Sequence, residues 1–317
     1  MPPLRTALVT GAGGFCATHL ATYLAGEAQC AVVGLGRRPE PLHGAGLTDY
    51  LACDVVDSAG LARAVRTVRP DWVFHLAGTS QGGRRTLFAT NARGTTNLLK
   101  AILREHPTAA TVVLGTAAEY GSVPRRRLPI TEEQPCRPRT AYGASKYAAT
   151  QAAQRFHRVH RLRVVIARPF NIIGPLMPQS LVLGAVLSQI RGEIEANRRP
   201  AVVSVGRTDP QRDFVPVEEV VTALVRMVQG SHWGEIFNLC SGTPTPIRSL
   251  LDLVARAVDW PVRFTRHPAR ARAPAPLVIY GSYAKAANAF GFAPTQNLEE
   301  AVRRLCRLEL GAPPAIP

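Results

Sequence analysis

Two side chains that can handle a proton together lie four residues apart in the segment Tyr142-Gly143-Ala144-Ser145-Lys146. A spacing of four places Tyr142 and Lys146 on the same face of a helix. An ammonium beside a phenol favours the phenolate, so we expect Lys146 to lower the pKa of Tyr142. Tyr142 is therefore a candidate general acid or base at an alcohol or carbonyl oxygen.

A third candidate, Thr116, follows the apolar run Thr111-Val112-Val113-Leu114. Its hydroxyl can hydrogen-bond the same oxygen and polarise a carbonyl group. The alternative is a threonine that only closes a strand. We predict Thr116, Tyr142 and Lys146 as the catalytic residues.

A glycine-rich turn lies near the start of the chain, in Gly11-Ala12-Gly13-Gly14-Phe15-Cys16-Ala17. It follows a predicted strand and precedes a predicted helix, which is the context of a dinucleotide-binding turn. Gly11 permits the tight turn, and Gly14 allows a pyrophosphate to approach the backbone at the helix N-terminus. We expect Gly11, Gly13, Gly14 and Phe15 to contact the cofactor.

The second predicted strand ends in Val33-Gly34-Leu35-Gly36-Arg37-Arg38 and carries no carboxylate to bind both ribose hydroxyls of NAD. Arg37 and Arg38 can instead pair with a 2′-phosphate, which favours NADP(H), with NAD(H) as the alternative. Solvated surface arginines are the other interpretation. Asp54 is a candidate acceptor for the adenine amine or, alternatively, a cap at the end of a strand.

The elements that must position these residues alternate between apolar runs and amphipathic helices. Near-continuous apolar strands separated by helices predict an α/β fold with a doubly wound parallel Rossmann sheet. The strand runs lie at residues 7–9, 31–33, 72–74, 111–114 and 164–166, and the helical stretches at 19–24, 60–68 and 94–103.

After Gly174 the pattern changes, which predicts a smaller C-terminal α/β substrate-binding part. We expect helices at 181–196, 217–228, 247–258 and 298–308, strands at 201–205 and 235–239, and a loop at 266–276. The predicted division is an NADP(H)-binding Rossmann domain at 1–174, completed by about 207–242. Residues 175–206 and 243–317 then form mainly the substrate-binding part.

The composition limits the class of protein. The 317 residues are 46% hydrophobic, without a run long enough to span a membrane and without a signal-peptide pattern, so we expect a cytoplasmic protein. The six cysteines form no C-x-x-C pair, and we expect no metal. The net charge of +16 comes from scattered arginines without interleaved aromatics, which disfavours nucleic acid and suits a polyanionic small ligand.

These motifs resemble those of the extended short-chain dehydrogenase/reductases that modify nucleotide sugars, the NAD-dependent epimerase/dehydratase family. The similarity covers nearly the whole chain, and the subgroup it most resembles is the GDP-4-keto-6-deoxymannose reductases. Besides the segments above, the matching stretches are His75-Leu76-Ala77, Asn91 with Gly94-Thr95 and Asn97, residues 167–175 (ARPFNIIGP), Arg212-Asp213-Phe214, residues 238–242 (NLCSG) and residues 291–294 (GFAP).

The resemblance implies further site residues. Cofactor contacts would come from Val55, Leu76, Ala77, Asn91 and Arg168, in addition to Tyr142 and Lys146. Substrate contacts would come from Thr116, Ala117, Asn171, Arg212 and Arg270. A capping role for Asn171, and a surface position or structural pairing with Asp213 for Arg212, are the alternatives.

Two departures from the family pattern disfavour a 4,6-dehydratase and leave open how the ribose of the sugar nucleotide is held. Related dehydratases carry a carboxylate two residues after the position of Thr116, where this chain has Ala118, and we expect Glu119 to point to the other side. The subgroup carries an acid in the loop after Arg270, where this chain reads Ala273-Pro274-Ala275-Pro276.

The resemblance implies an NADPH-dependent reductase of the 4-keto group of a nucleotide-diphosphate 4-keto-6-deoxyhexose. The alternatives are a nucleotide-sugar 4-epimerase that retains NAD and a non-catalytic NADP-binding sensor. It also implies a homodimer formed through the helices around 91–103 and 142–155.

Overall fold

The computed structural model describes residues 4–41, 43–267 and 277–311. Apolar and β-branched runs form its main strands, because such side chains pack well on a pleated surface. The strands are β1 (Thr6–Thr10), β2 (Ala31–Gly36), β3 (Asp49–Ala52), β4 (Trp72–His75), β5 (Ala110–Leu114), β6 (Val164–Pro169), β7 (Asn171–Ile173), β8 (Ala201–Val205), β9 (Gln211–Arg212), β10 (Phe214–Pro216), β11 (Ile236–Leu239), β12 (Thr245–Pro246), β13 (Val262–Arg266) and β14 (Val278–Ile279).

The helices alternate with these strands along most of the chain. They are α1 (Phe15–Gly26), α2 (Ser58–Val68), α3 (Arg84–Leu87), α4 (Gly94–Glu105), α5 (Ala141–His160), α6 (Val182–Glu195), α7 (Val217–Gln229), α8 (Ile247–Ala257), α9 (Ala284–Phe290) and α10 (Leu298–Leu310). A π-helical turn at Phe88–Arg93 joins α3 to α4, and a short 3₁₀ turn at Ala117–Glu119 follows β5.

The central sheet has seven parallel strands in the order β11-β6-β5-β4-β1-β2-β3. The chain winds outward from β1 in both directions, which confirms the predicted doubly wound Rossmann fold. The strand order reverses between β1 and β4, and in such sheets ligands bind in the crevice at the carboxyl ends of the strands flanking this point.

Two hydrophobic layers cover the sheet. On one face, Leu20 and Leu24 of α1 pack with Val220 and Leu224 of α7. On the other face, the core includes Leu61 of α2 together with residues of α4 and α5. Because both faces are covered, the inner strands of the sheet are largely apolar, as the sequence pattern predicted.

A third core lies in the C-terminal part and joins α6, α8 and α10 to the two-stranded sheet of β8 and β13. Phe15 and Phe214 pack against this core, next to the glycine-rich turn and to β7 respectively. The domain boundaries given above stay a prediction.

Several element boundaries differ from expectation. Helix α1 begins at Phe15 rather than His19, directly after the glycines. Arg266 ends strand β13, so the loop predicted to begin there was wrong at this residue. Residues 268–276, which include Arg270, lie outside the described residues. The two-residue strands, β7 and β10 were not predicted, because segments this short carry little periodicity. Strand β13 was not predicted either, because its polar residues Arg263, Thr265 and Arg266 interrupt the apolar run.

Across residues 4–41, 43–267 and 277–311, every helix is too short or too polar to cross a membrane.

The sheet brings the end of β1 against the end of β4. Gly11, the first residue after β1, has φ +72°, and a Cβ there would lie 2.8 Å from both Cα and N of Ala77. Only glycine avoids both the positive-φ strain and this clash.

Gly11→Ala is therefore expected to lower the free energy of unfolding by about 1–3 kcal/mol in urea denaturation. Gly26→Ala is the matched control, because a Cβ at Gly26 meets nothing within 4 Å outside its own helix backbone. The control should keep or raise the stability. Equal stabilities of the two variants would contradict the close approach.

Candidate active site

The glycine-rich turn leads directly into the start of α1. Gly11 and Ala12 donate their N–H groups to the Leu35 carbonyl, at 2.8 and 3.2 Å. No side chain caps α1, whose first turn carries no acidic residue. The positive end of the helix is therefore open to an anionic ligand.

A cavity of about 290 Å³, here called the turn cavity, lies beside this turn. Its lining comprises Gly11, Gly13, Gly14, Leu35, Gly36, Arg37, Arg38, Glu40, Tyr50, Cys53, Val55, Leu76, Ala77, Gly78, Thr79 and Thr90. Eight of these are predicted cofactor residues: Gly11, Gly13, Gly14, Arg37, Arg38, Val55, Leu76 and Ala77. The lining of glycines and two arginines fits the phosphates of a dinucleotide, because backbone and guanidinium donors suit phosphate oxygens.

Arg37 and Arg38 are exposed at the end of β2, on the wall of the turn cavity. The Tyr50 hydroxyl donates to the Arg38 carbonyl at 3.1 Å and so holds the backbone there. Glu40 also lines the turn cavity. It was not predicted as a site residue, because it lies beyond the residues that directly follow the strand.

A second cavity of about 510 Å³, here called the reaction cavity, adjoins the catalytic candidates. Its lining comprises Phe15, Cys16, Ser80, Leu114–Ala118, Gly121, Tyr142, Pro169–Ile173, Met177, Pro178, Ser180–Val182, Arg212, Phe214 and Ile279. Predicted substrate residues Thr116, Ala117, Asn171 and Arg212 all lie here. Phe15, predicted to contact the cofactor, also lies here.

Tyr142 lies in the first turn of α5 and faces the reaction cavity. Thr140 caps this helix by accepting the Gly143 N–H at 3.0 Å. Burial raises the pKa of Tyr142, the hydrogen bond with Thr116 opposes this, and Glu119 and Cys16 add to the rise. The predicted lowering by Lys146 was wrong: the net direction is upward, and the phenol keeps its proton at neutral pH.

Lys146 lies one helical turn after Tyr142 and is buried. Its ammonium donates to the Leu114 carbonyl at the end of β5. A Cβ on Gly78, in the wall of the turn cavity, would lie 3.6 Å from Lys146 Nζ. The ammonium therefore lies between the two cavities. Burial lowers the pKa of Lys146 to about 8, with Glu119 opposing.

Thr116 opens the 3₁₀ turn after β5, and its Oγ1 accepts the Ala118 N–H at 3.3 Å. Its own N–H donates to Glu119 Oε1 at 2.9 Å. Glu119 is fully buried and lines neither cavity, which confirms that it points away from the site. Ala117 and Ala118 leave the cavity wall without an acid at these positions.

Arg212 and Asp213 do not pair with each other. The Asp213 carboxylate is buried and accepts hydrogen bonds from Ser241, Gly242 and Gly281. Arg212 donates to the Gln211 carbonyl at 2.8 Å and has no carboxylate partner within the described residues. The alternative of a structural pair was therefore wrong, and the half-buried guanidinium faces the reaction cavity.

Asn171 is exposed and its amide donates to the Asp213 carbonyl at 2.7 Å. Asp54 lies outside the lining of the turn cavity, and its carboxylate accepts the Val56 N–H at 3.0 Å, as in the alternative of a cap. Arg168 is 2% exposed and pairs with Glu119, so it lines neither cavity.

Asn91 is fully buried and acts within the protein. Its amide donates to the Thr79 carbonyl at 2.9 Å and to Ser145 Oγ at 2.8 Å, and its Oδ1 accepts the Thr79 N–H at 2.8 Å. Ser145 in turn donates to the Tyr142 carbonyl at 2.8 Å. Asn91 thereby links the wall of the turn cavity to the helix that carries Tyr142.

His75 forms a second buried link, at the end of β4. Thr95 Oγ1 donates to the Asn91 carbonyl at 2.6 Å, so it must accept the proton of His75 Nε2, which is 2.9 Å away. Nδ1 is then unprotonated and accepts from Thr10 Oγ1 at 2.8 Å. Burial and the nearby Lys146 charge lower the pKa of His75 to about 3, so the ring stays neutral.

This lowered pKa predicts acid sensitivity. The unfolded chain binds a proton at His75 below about pH 6.5 and the folded chain only near pH 3, so stability falls as the pH drops through this window. Between about pH 7 and pH 5, wild type should lose about 2 kcal/mol more than His75→Gln. Urea unfolding at both pH values measures this, with His43→Gln at an exposed position as the control. Parallel losses in wild type and His75→Gln would contradict it.

Known proteins are similar to this chain in sequence and in fold. A model of the NAD dependent epimerase/dehydratase family matches residues 7–240. The GDP-6-deoxy-D-mannose reductase of Pseudomonas aeruginosa is 31% identical over 307 residues, which are 94% of this chain and 94% of that protein. The UDP-glucose 4-epimerase of Mycolicibacterium smegmatis is 30% identical over 279 residues, 84% of this chain and 87% of that protein.

Among solved structures, RMD from Pseudomonas aeruginosa complexed with NADPH has a TM-score of 0.84 to this chain at 27% identity. The match covers 97% of this chain and 98% of that chain.

Proposed function

Because the chain belongs to the NAD dependent epimerase/dehydratase family, we propose that it is an NADPH-dependent reductase. Its substrate would be the 4-keto group of a nucleotide-diphosphate 4-keto-6-deoxyhexose. One observation carries this proposal: Tyr142 and Thr116 both line the reaction cavity, and the two residues that follow Thr116 in its wall, Ala117 and Ala118, are alanines without an acid or base. The similarity to a GDP-6-deoxy-D-mannose reductase supports the same reaction.

NADPH would lie along the turn cavity, with its phosphates at Gly11–Gly14 and its 2′-phosphate at Arg37 and Arg38. When bound, it supplies the hydride. The likeness to RMD complexed with NADPH supports this cofactor. Lys146 lies between the two cavities, where its ammonium can bind a ribose hydroxyl.

Tyr142 would donate the proton to the substrate oxygen. Its raised pKa keeps the phenol protonated at neutral pH, which suits a general acid in the reductive direction. Thr116 already bonds the phenol and would share the substrate oxygen, so its hydroxyl orients the donor. Lys146, with a pKa of about 8, carries its charge below that pH, which suits an ammonium that holds a ribose hydroxyl.

Arg212 would bind the diphosphate of the substrate. A guanidinium that is half-buried and without a carboxylate partner among the described residues is costly, and an anionic ligand offsets that cost. Dehydration needs an additional acid and base beside the sugar. Ala117 and Ala118 supply neither, so the proposal excludes a 4,6-dehydratase.

A nucleotide-sugar 4-epimerase is the second candidate, supported by the similarity to a UDP-glucose 4-epimerase. It would use Tyr142 and Lys146 without consuming cofactor. Such an enzyme must keep its nicotinamide bound through both half-reactions. Stoichiometric NAD released from the purified, denatured protein would favour it over the reductase.

Turnover tests the proposed reaction. Purified protein mixed with NADPH and a GDP-4-keto-6-deoxyhexose should consume NADPH, measured by its absorbance. Tyr142→Phe should lower kcat by about 10²–10⁴-fold, because it removes the positioned proton donor. Tyr147→Phe, on the same helix but lining neither cavity, is the control and should keep the wild-type rate. No turnover on a panel of keto-sugar nucleotides would reject the proposal.

The choice of cofactor tests the role of Arg37 and Arg38. Replacing both Arg37 and Arg38 by serine should weaken NADPH binding by about 10–100-fold, because charge-assisted bonds to the 2′-phosphate are lost. The Kd of NADH should change far less. Calorimetry measures both values, with serine at Arg125 and Arg126, which are exposed and outside both cavities, as the control. Equal weakening of NADPH and NADH would contradict a 2′-phosphate site.

A further inference from the structure

Glu119 is a carboxylate that the proposed reaction does not use, yet it lies directly behind the reaction site. It is 0% exposed and lines neither cavity. Burying a charged group is expensive unless it is paired and hydrogen-bonded. Each of its two oxygens has a separate hydrogen-bond partner, which indicates that the buried carboxylate holds particular groups in place.

The first oxygen holds Thr116. Glu119 Oε1 accepts the Thr116 N–H at 2.9 Å, while Thr116 Oγ1 caps the same short turn. A Cβ on Gly115 would lie 2.6 Å from Glu119 Oε1, so the chain needs glycine there for the carboxylate to reach the backbone. The arrangement fixes the backbone from which the Thr116 hydroxyl projects.

The second oxygen is held from the neighbouring strand. Arg168, on β6, donates through Nε and Nη2 to Glu119 Oε2, each at 2.9 Å. The Arg168 guanidinium also lies over the Tyr120 ring, 4.8 Å from its centroid. The Tyr120 hydroxyl donates to Asn238 Oδ1 at 2.7 Å on β11. The turn after β5, strand β6 and strand β11 therefore together hold the carboxylate in one orientation.

The charge of Glu119 reaches both reaction residues. It raises the pKa of Tyr142 and opposes the lowering of the pKa of Lys146. The other titratable groups around this centre are Cys16 beside Tyr142, Cys136 beside Arg168 and His75 near Lys146. Cys16 and His75 stay neutral near pH 7, because burial raises the pKa of Cys16 to about 12 and lowers that of His75 to about 3.

We propose that Glu119 is a positioning residue: its two oxygens fix Thr116 against Arg168, and its charge disfavours the Tyr142 phenolate and favours the Lys146 ammonium. This rests on the proposed function of Tyr142 as proton donor. A negative charge behind the site disfavours the phenolate and favours the ammonium. Both effects hold the resting enzyme in the state that reduces a ketone rather than oxidises an alcohol.

The charge can be measured at Lys146 without any substrate. Lys100, Lys146 and Lys285 are the lysines of the chain, so isotope-labelled lysine gives few NMR signals, and Lys146→Met identifies one of them. In wild type the Lys146 signal should titrate near its pKa of about 8. In Glu119→Gln the midpoint should fall by about one pH unit, because the ammonium loses its anionic neighbour.

Glu105→Gln is the matched control. Glu105 pairs with Arg66 at 2.9 Å between α4 and α2 and lines neither cavity. It should leave the Lys146 midpoint at the wild-type value. An unchanged midpoint in folded Glu119→Gln, or the same fall in Glu105→Gln, would overturn the electrostatic part of the proposal.

A second variant is needed in case Glu119→Gln does not fold. Glu119→Gln leaves Arg168 buried and unpaired, whereas the double variant Glu119→Gln/Arg168→Met removes both charges together. Glutamine keeps an acceptor for the Thr116 N–H. If the single variant does not fold, the double variant takes the same titration. Its midpoint should fall by less, because the Arg168 cation that opposed the Glu119 charge is removed as well, and an unchanged midpoint would overturn the electrostatic part.

The positioning part is tested by turnover. Glu119→Gln keeps the acceptor for the Thr116 amide and Glu119→Leu removes it, so kcat should fall about tenfold further in the leucine variant, with KM changed less. Equal kcat values in two folded variants would overturn positioning. If wild type reduces no keto-sugar nucleotide, the proposed function fails, while the lysine titration still decides the role of the Glu119 charge.

Discussion

The bond from the Lys146 ammonium to the Leu114 carbonyl ties helix α5 to the end of strand β5. An ammonium in the protein interior must be hydrogen-bonded, and here the acceptor belongs to the rigid centre of the sheet. Tyr142, one helical turn earlier, is thereby held beside Thr116, which follows the same strand. The ammonium thereby lies close to Gly78 in the wall of the turn cavity and to Leu114 in the wall of the reaction cavity.

Around this bond, buried polar groups with several hydrogen-bond partners hold the carboxyl edge of the sheet. His75 bridges two threonines, Asn91 bridges a loop and helix α5, and Asp213 accepts three backbone amides and one hydroxyl. Such networks are favourable only when every member is satisfied, and they then permit a single arrangement. These networks therefore hold the backbone beneath the two cavities in one position, on which the residues that line the cavities are mounted.

Local sequence was enough for the fold and for the candidate pair Tyr142 and Lys146. Apolar runs and helical periodicity depend on neighbouring residues, so the doubly wound sheet could be predicted. The glycine turn at Gly11–Gly14 and the spacing of Tyr142 and Lys146 are likewise local patterns, and the structure brings both to the same edge. Arg37 and Arg38 were found because they directly follow a strand end, whereas Glu40, two residues later, was missed.

Tertiary structure decided the charges and the partners. Glu119 and Arg168 are 49 residues apart, and only the packing of β5 beside β6 brings them together. The pKa of Tyr142 is raised because the phenol is buried, a property that the spacing to Lys146 does not contain. Sequence by itself determined which elements form and which residue types end them, since those depend on short-range sterics and periodicity. Burial and long-range pairing set the protonation states, because both arise only when distant strands pack.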